Sequence, residues 1–215
     1  MSHVLSVLDV VKHYGKVKAV DGVSFEVARG RITGLLGRNG AGKTTTLRMI
    51  TGVLLPDRGR VELFGAGVAE ARDRLGYLPE ERGLYPRMKV MDQLVFFAGL
   101  YGVPRKKAEQ EVRTWLARFR VPEYADRRAE QLSKGNQQKI QFIAAILHDP
   151  DVLIMDEPFT GLDPVNVALL KAAFLEMRDR GKTLIFSTHQ MDMAEELCDA
   201  LAIIDAGRLV ASGPT

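Results

Sequence analysis

A nine-residue run, Gly37-Arg38-Asn39-Gly40-Ala41-Gly42-Lys43-Thr44-Thr45, constrains this chain more than any other feature. It fits G-x-x-x-x-G-K-[ST], a pattern that works only where a strand delivers the loop and a helix leaves it. Small residues let successive backbone N–H groups curl around a polyphosphate without Cβ clashes. The helix that follows turns its positive N-terminal end to the same charge. All nine residues are therefore candidate phosphate contacts, with Lys43 reaching the β- and γ-phosphates and the Thr44 hydroxyl on Mg²⁺. The local context agrees: residues 31–36 are apolar and β-leaning and stop at Gly37, and residues 42–49 read as a helix with Leu47 and Ile50 as its apolar contacts.

The rest of the chain alternates in the same way. Short strands are expected at 4–11, 24–27, 61–64 and 75–78, then a loop at 80–87 broken by Gly83 and Pro86. Three helices follow, at 90–100, 106–119 and from about 133 to 147, and read as a separate lobe. Strands at 152–155, 183–187, 201–204 and 209–211 enclose helices at 164–180 and 191–197. Strands alternating with helices imply a mostly parallel sheet covered on both sides.

Val152-Leu153-Ile154-Met155-Asp156-Glu157-Pro158 reads as a strand buried on both faces that delivers two carboxylates at its C-terminal end, where open α/β sheets bind ligands. Asp156 is the expected Mg²⁺ ligand. Glu157 points elsewhere and can polarise a water for in-line attack on a γ-phosphate.

Between these halves lies Leu132-Ser133-Lys134-Gly135-Asn136-Gln137-Gln138. It resembles the signature of ATP-binding cassette (ABC) proteins, whose commonest form is Leu-Ser-Gly-Gly-Gln. It also opens a helix, which makes it a second anion-binding N-terminus. Lys134 stands for the first Gly and Asn136 for the Gln, with Gln137 next; the Ser133 hydroxyl and the Gly135 backbone stay available. Other matches span the chain. Tyr14 looks like the family's adenine-stacking aromatic. Gly161-Leu162-Asp163-Pro164 looks like the loop that touches a partner subunit. His189, in Ser187-Thr188-His189, looks like the switch histidine at the γ-phosphate. Gly76-Tyr77-Leu78-Pro79-Glu80 occupies the family's glutamine loop, with a glutamate for the glutamine, and Glu80 is taken as a Mg²⁺ contact. The run from Tyr77 through Glu81, Arg82, Gly83, Leu84 and Tyr85 to Pro86 is similar to ABC-2-type exporters, in particular sodium-extrusion and drug-export ATPase subunits.

The resemblance implies an α/β P-loop NTPase of ABC type: a mixed sheet core with an inserted helical subdomain and an N-terminal antiparallel β part. Residues 1–215 would form one nucleotide-binding domain. Residues 1–80 and 150–215 would make the RecA-like catalytic core with its β subdomain, and 81–149 the helical signature subdomain. Cassettes of this family usually continue into another helix, so a C-terminal extension is expected. The implied function is ATP binding and hydrolysis that powers transport, export on the subfamily resemblance. Lys43, Glu157 and His189 carry the catalysis. Two subunits, alike or different, pack head to tail, so that Ser133, Gly135, Asn136 and Gln137 of one meet ATP held by the other. The remaining partners are integral membrane permease subunits, with the chain peripheral on the cytoplasmic face of the cell membrane and the segment Leu84, Tyr85, Pro86 and Met88 as the exposed contact.

Two other readings are weaker. Chromosome and repair ABC ATPases carry a long coiled coil between the nucleotide motifs, whereas about 113 residues without heptads separate Lys43 from Asp156. Translation-type members carry two cassettes, and this chain has one. A non-hydrolysing ATP sensor conflicts with the presence of both Glu157 and His189. Composition narrows the field further. In 215 residues, 30 Lys and Arg against 27 Asp and Glu give a net +3, too small an excess to argue for nucleic acid. A hydrophobic fraction of 46% excludes disorder as the main state. Cys198 is the only cysteine, which excludes a disulfide scaffold and reads as a buried thiol. No apolar run approaches the ~20 residues of a membrane helix, and residues 1–10 lack the pattern of a signal peptide. His3, His13 and His148 receive no functional role.

Overall fold

Alternating apolar residues start the chain as a hairpin. The computed structural model describes residues 3–81 and 83–215. In it β1 (His3–Tyr14) and β2 (Val17–Ala28) pair antiparallel, with Val20, Val23, Phe25 and Val27 of β2 buried. Both strands are longer than the apolar pattern suggests. In β1 the extra residues Lys12 to Tyr14 are held by cross-strand pairing and contribute little to the core, whereas the longer extension of β2, residues 17–23, adds the buried Val20 and Val23. Next come β3 (Ile32–Leu36), buried at every position, and α1 (Lys43–Ile50). β4 (Arg58–Leu63) and β5 (Ala66–Gly67) complete a four-stranded antiparallel sheet in the order β2-β1-β4-β5.

A 3-10 segment (Val68–Arg74) leads to β6 (Leu75–Leu78) and then to the lobe: α2 (Val90–Leu100), α3 (Arg105–Arg118) and α4 (Lys134–Ile146). The remaining elements are β7 (Val152–Met155), α5 (Pro164–Asp179), β8 (Thr183–Thr188), α6 (Met191–Leu197), β9 (Ala200–Asp205) and β10 (Arg208–Pro214). The second sheet runs β10-β9-β3-β8-β7-β6; only β10 is antiparallel to its neighbour.

Because side chains alternate along a strand, each central strand feeds two cores. Leu153, Met155, Leu184 and Phe186 join the helical side, while Val152, Ile154 and Ile185 join a core shared with α1 and the antiparallel sheet. The cover expected on both faces is thus helices on one face and mainly a second sheet on the other. The lobe has no core of its own. Trp115 and Phe119 meet Phe142 of α4, Phe142 stacks on Phe174 of α5, and Phe174 meets Phe186 of β8, with ring centroids 5.7–5.9 Å apart. One apolar cluster therefore runs from lobe to sheet.

Candidate active site

The parallel strands β3, β7 and β8 end on the same side of the sheet and deliver the loop after Leu36, the pair Asp156-Glu157 and the Thr188-His189 step. The Gly37 N–H donates to the Thr188 carbonyl at 3.3 Å, tying the loop to β8. Gly42 sits at φ +107°, and a Cβ there would lie 2.5 Å from the Ala19 carbonyl oxygen, so only glycine fits. Arg38, Asn39, Gly40, Gly42, Lys43, Thr44 and Thr45 line a cavity of 320 Å³, joined by Glu80, Glu157 and His189. Gly37, which packs against the Ile204 backbone, and the buried Ala41 beside it do not line the cavity. A larger groove of 680 Å³ contains Phe25, Arg31 and Ser212 and none of the expected site residues.

Lys43 and Glu157 are both nearly buried, and Lys43 Nζ lies 3.2 Å from Glu157 Oε1. The ammonium also donates to the carbonyls of Gly37 (2.7 Å) and Arg38 (3.3 Å). Glu157 Oε2 lies 3.1 Å from His189 Nδ1 and accepts from the Thr160 hydroxyl at 3.2 Å. The three residues expected to carry catalysis thus form one connected cluster. Asp156 is fully buried. Its Oδ1 accepts from the Ser187 hydroxyl at 2.6 Å, and its Oδ2 has no hydrogen-bond partner. A buried carboxylate oxygen left alone is costly, and a bound cation removes that cost. The donor set suits Mg²⁺, which needs only one or two carboxylates beside substrate phosphates. No group of three or more His, Cys, Asp or Glu side chains that could hold a metal occurs among the described residues.

Other expected residues lie elsewhere. Tyr14 is exposed near the tip of the β1–β2 hairpin and does not line the cavity. Ser133, Gly135, Asn136 and Gln137 do not line it either. Ser133 caps α4 by accepting the Asn136 N–H. Gly135 is buried beside Asn166 and Leu162, and a Cβ there would come within 2.9 Å of Asn166 Nδ2. The side-chain amides of Asn136 and Gln137, expected to meet nucleotide, serve their own lobe. Asn136 donates to the Tyr124 hydroxyl, and Gln137 to the carbonyls of Ala129 and Leu132. The Ala129 carbonyl also accepts the Leu132 backbone N–H, so the Gln137 amide reinforces the turn that leads into α4.

Asp163 caps α5 by accepting the N–H groups of Val165 and Asn166, and these bonds hold its carboxyl below the usual range. Burial pushes the Cys198 thiol up to about 12, which makes it an inert core group. The segment expected to be an exposed contact is only partly so. Tyr85 is exposed and stacks on Phe97, with exposed Phe96 beside them, and Pro86 is exposed. Leu84 and Met88 are half-buried, and Leu84 packs against the helical core. Arg82 of the same run lies outside the described residues. Ala19, Thr160 and Ser187 were not anticipated. An alanine in a strand carries no signal, whereas a hydroxyl in the apolar run of residues 183–187 could have been questioned.

Comparison with known proteins follows the same lines. Residues 20–160 match the family described as ABC transporter. An uncharacterized ABC transporter ATP-binding protein, YhaQ of Bacillus subtilis (strain 168), is 50% identical over 97% of this chain and 70% of its own length. Nod factor export ATP-binding protein I of Ralstonia nicotianae is 41% identical over 98% of this chain and 67% of its own. A solved ATP-binding subunit of an ABC transporter superposes with a TM-score of 0.91 at 33% identity, covering 98% of this chain and 90% of that one.

Proposed function

The chain belongs to the ABC transporter family as an ATP-binding subunit, an ATPase coupled to transport, and from that premise we propose how its residues divide the work. The triphosphate of ATP lies along residues 37–45, with the α1 N-terminus behind it. Lys43 exchanges its loop carbonyls and Glu157 for the β- and γ-phosphates. Thr44, Asp156 and Glu80 would hold Mg²⁺, which would supply charge neutralisation at the phosphates. Glu157, released by Lys43, takes the proton of the attacking water, a role worth about 10²–10⁴ in rate. His189, beside Glu157, meets the γ-phosphate. The observation that carries this reading is the Lys43–Glu157–His189 cluster next to a buried Asp156 with one oxygen unpaired.

ATP joins two subunits head to tail, Ser133 and the Gly135 backbone of one facing the loop of the other, while Tyr14 stacks on the adenine. Among the described residues no helix is long and apolar enough to cross a membrane; the partners are integral membrane permease subunits, a reading supported by the transporter family to which the chain belongs. Tyr85, Phe96 and Phe97 form the contact for that partner, with the chain peripheral on the cytoplasmic face; exposed clustered aromatics mark such interfaces. The direction is export, by likeness to the Nod factor export protein of Ralstonia nicotianae. Action on ribosomes or DNA is not favoured, since the relatives are transporter subunits.

The test is co-purification of tagged Glu157→Gln protein with Mg²⁺-ATP from membranes solubilised in mild detergent. A multi-spanning protein is expected. Ribosomes or nucleic acid from the soluble fraction, with nothing from the membrane, would overturn the reading.

A further inference from the structure

Ser187 is fully buried in β8, among Leu184, Ile185 and Phe186, where a hydroxyl needs partners to be tolerated. It has two, both on the carboxylate pair. Its Oγ donates to Asp156 Oδ1 at 2.6 Å and accepts the backbone N–H of Glu157 at 2.8 Å. A serine hydroxyl has one proton, so the donation to Asp156 fixes its direction and leaves its lone pairs for Glu157. The register Met155↔Phe186 between β7 and β8 brings Ser187 to this point. Glu157 sits at φ +47°, a left-handed conformation that is uncommon for a residue with a Cβ and holds only where its surroundings enforce it.

We propose that Ser187 is a positioning residue for the reaction: one buried hydroxyl sets the Asp156 carboxylate for the metal and holds the backbone from which Glu157 reaches the attacking water. By occupying Oδ1, Ser187 leaves Oδ2 as the oxygen available to a cation, and Oδ2 is the buried atom without a partner. By anchoring the Glu157 N–H, it holds the strained residue whose side chain reaches Lys43, His189 and Thr160. Groups of this kind, behind a metal ligand, change metal affinity about 10–100-fold when removed.

The inference rests on the functional reading above, and the experiment separates the two. ADP affinity of the full chain is measured by titration calorimetry with and without Mg²⁺, alongside kcat and KM for ATP. Wild-type protein with no Mg²⁺-dependent binding would remove the functional reading itself. Given such binding, Ser187→Ala is expected to lose roughly tenfold or more of the Mg²⁺-dependent gain. Its metal-free ADP affinity should hold, and kcat should fall further than KM rises. Ser187→Thr, which restores the hydroxyl, is expected to recover most of the gain. In an Asp156→Asn background, Ser187→Ala should cost little more. A full Mg²⁺ gain in Ser187→Ala, or an equal loss with and without metal, overturns the assignment. If Ser187→Ala does not fold, Ser187→Cys, a similar shape with a weaker donor, decides by the same selective loss or its absence.

Discussion

Position 80 holds a carboxylate on the same cavity as Lys43, Glu157 and His189. The glutamine loop that this segment resembles has a neutral amide here, so the difference is a question of charge. Glu80 is exposed, and a unit charge pair 4 Å apart in water-like surroundings is worth about 1 kcal/mol. Glu80→Gln is therefore expected to raise the Mg²⁺ concentration for half-maximal ATP turnover by roughly fivefold or more. Steady-state turnover across a Mg²⁺ series checks this; an unchanged curve and rate would remove Glu80 from the metal's ligands. At this scale the residues differed in how readable they were. Gly42, Lys43, Asp156, Glu157 and His189 sit in short local patterns whose chemistry demands those residue types. Thr160 and Ser187 act through hydrogen bonds to Glu157 and Asp156, and Ser187 does so from a strand, 30 and 31 positions further along the chain. No local pattern marks such a partner.

Among the elements, α4 does the most joining. Its N-terminus carries the signature residues, its Gln138 amide donates to the Pro158 carbonyl next to Glu157, and its Phe142 bridges the lobe aromatics to Phe174. Phe142 is fully buried. Phe142→Ala is expected to destabilise the fold by about 3–5 kcal/mol, since truncation removes burial and leaves a cavity. Urea denaturation of the nucleotide-free protein measures it, and a shift below about 1 kcal/mol would show that the aromatic chain does not fasten lobe to sheet. Element limits followed the strength of the apolar signal. The helix at Val90–Leu100 and the strands at Leu75–Leu78 and Val152–Met155 lie where the pattern puts them. The tip of the β1–β2 hairpin, Lys12 to Tyr14 and Val17 to Lys18, extends past the core residues because backbone pairing needs no buried apolar side chains.

For the whole molecule, the decisive feature is that, among the described residues, none from the α4 N-terminus lines the cavity of the phosphate loop. The head-to-tail pairing proposed above would bring the two anion-binding helix ends to one ATP. Glu157→Gln protein is expected to sediment as a dimer with ATP and as a monomer without it. Lys43→Ala should remain monomeric in both conditions, and sedimentation velocity distinguishes these cases. A Glu157→Gln protein that stays monomeric at saturating ATP would count against head-to-tail pairing. The sequence by itself determined the loop, the carboxylate pair, the histidine and the α/β alternation, because each depends on residue type over a few positions: small residues at a tight turn, charge at a strand end, apolar period. Only the tertiary structure decided which face of the sheet is covered by a second sheet. It alone showed that the amides of Asn136 and Gln137 turn into their own lobe, and that Ser187 reaches both carboxylate residues. Those outcomes depend on which strands lie side by side and in what register, and register is set by packing between segments far apart in the chain.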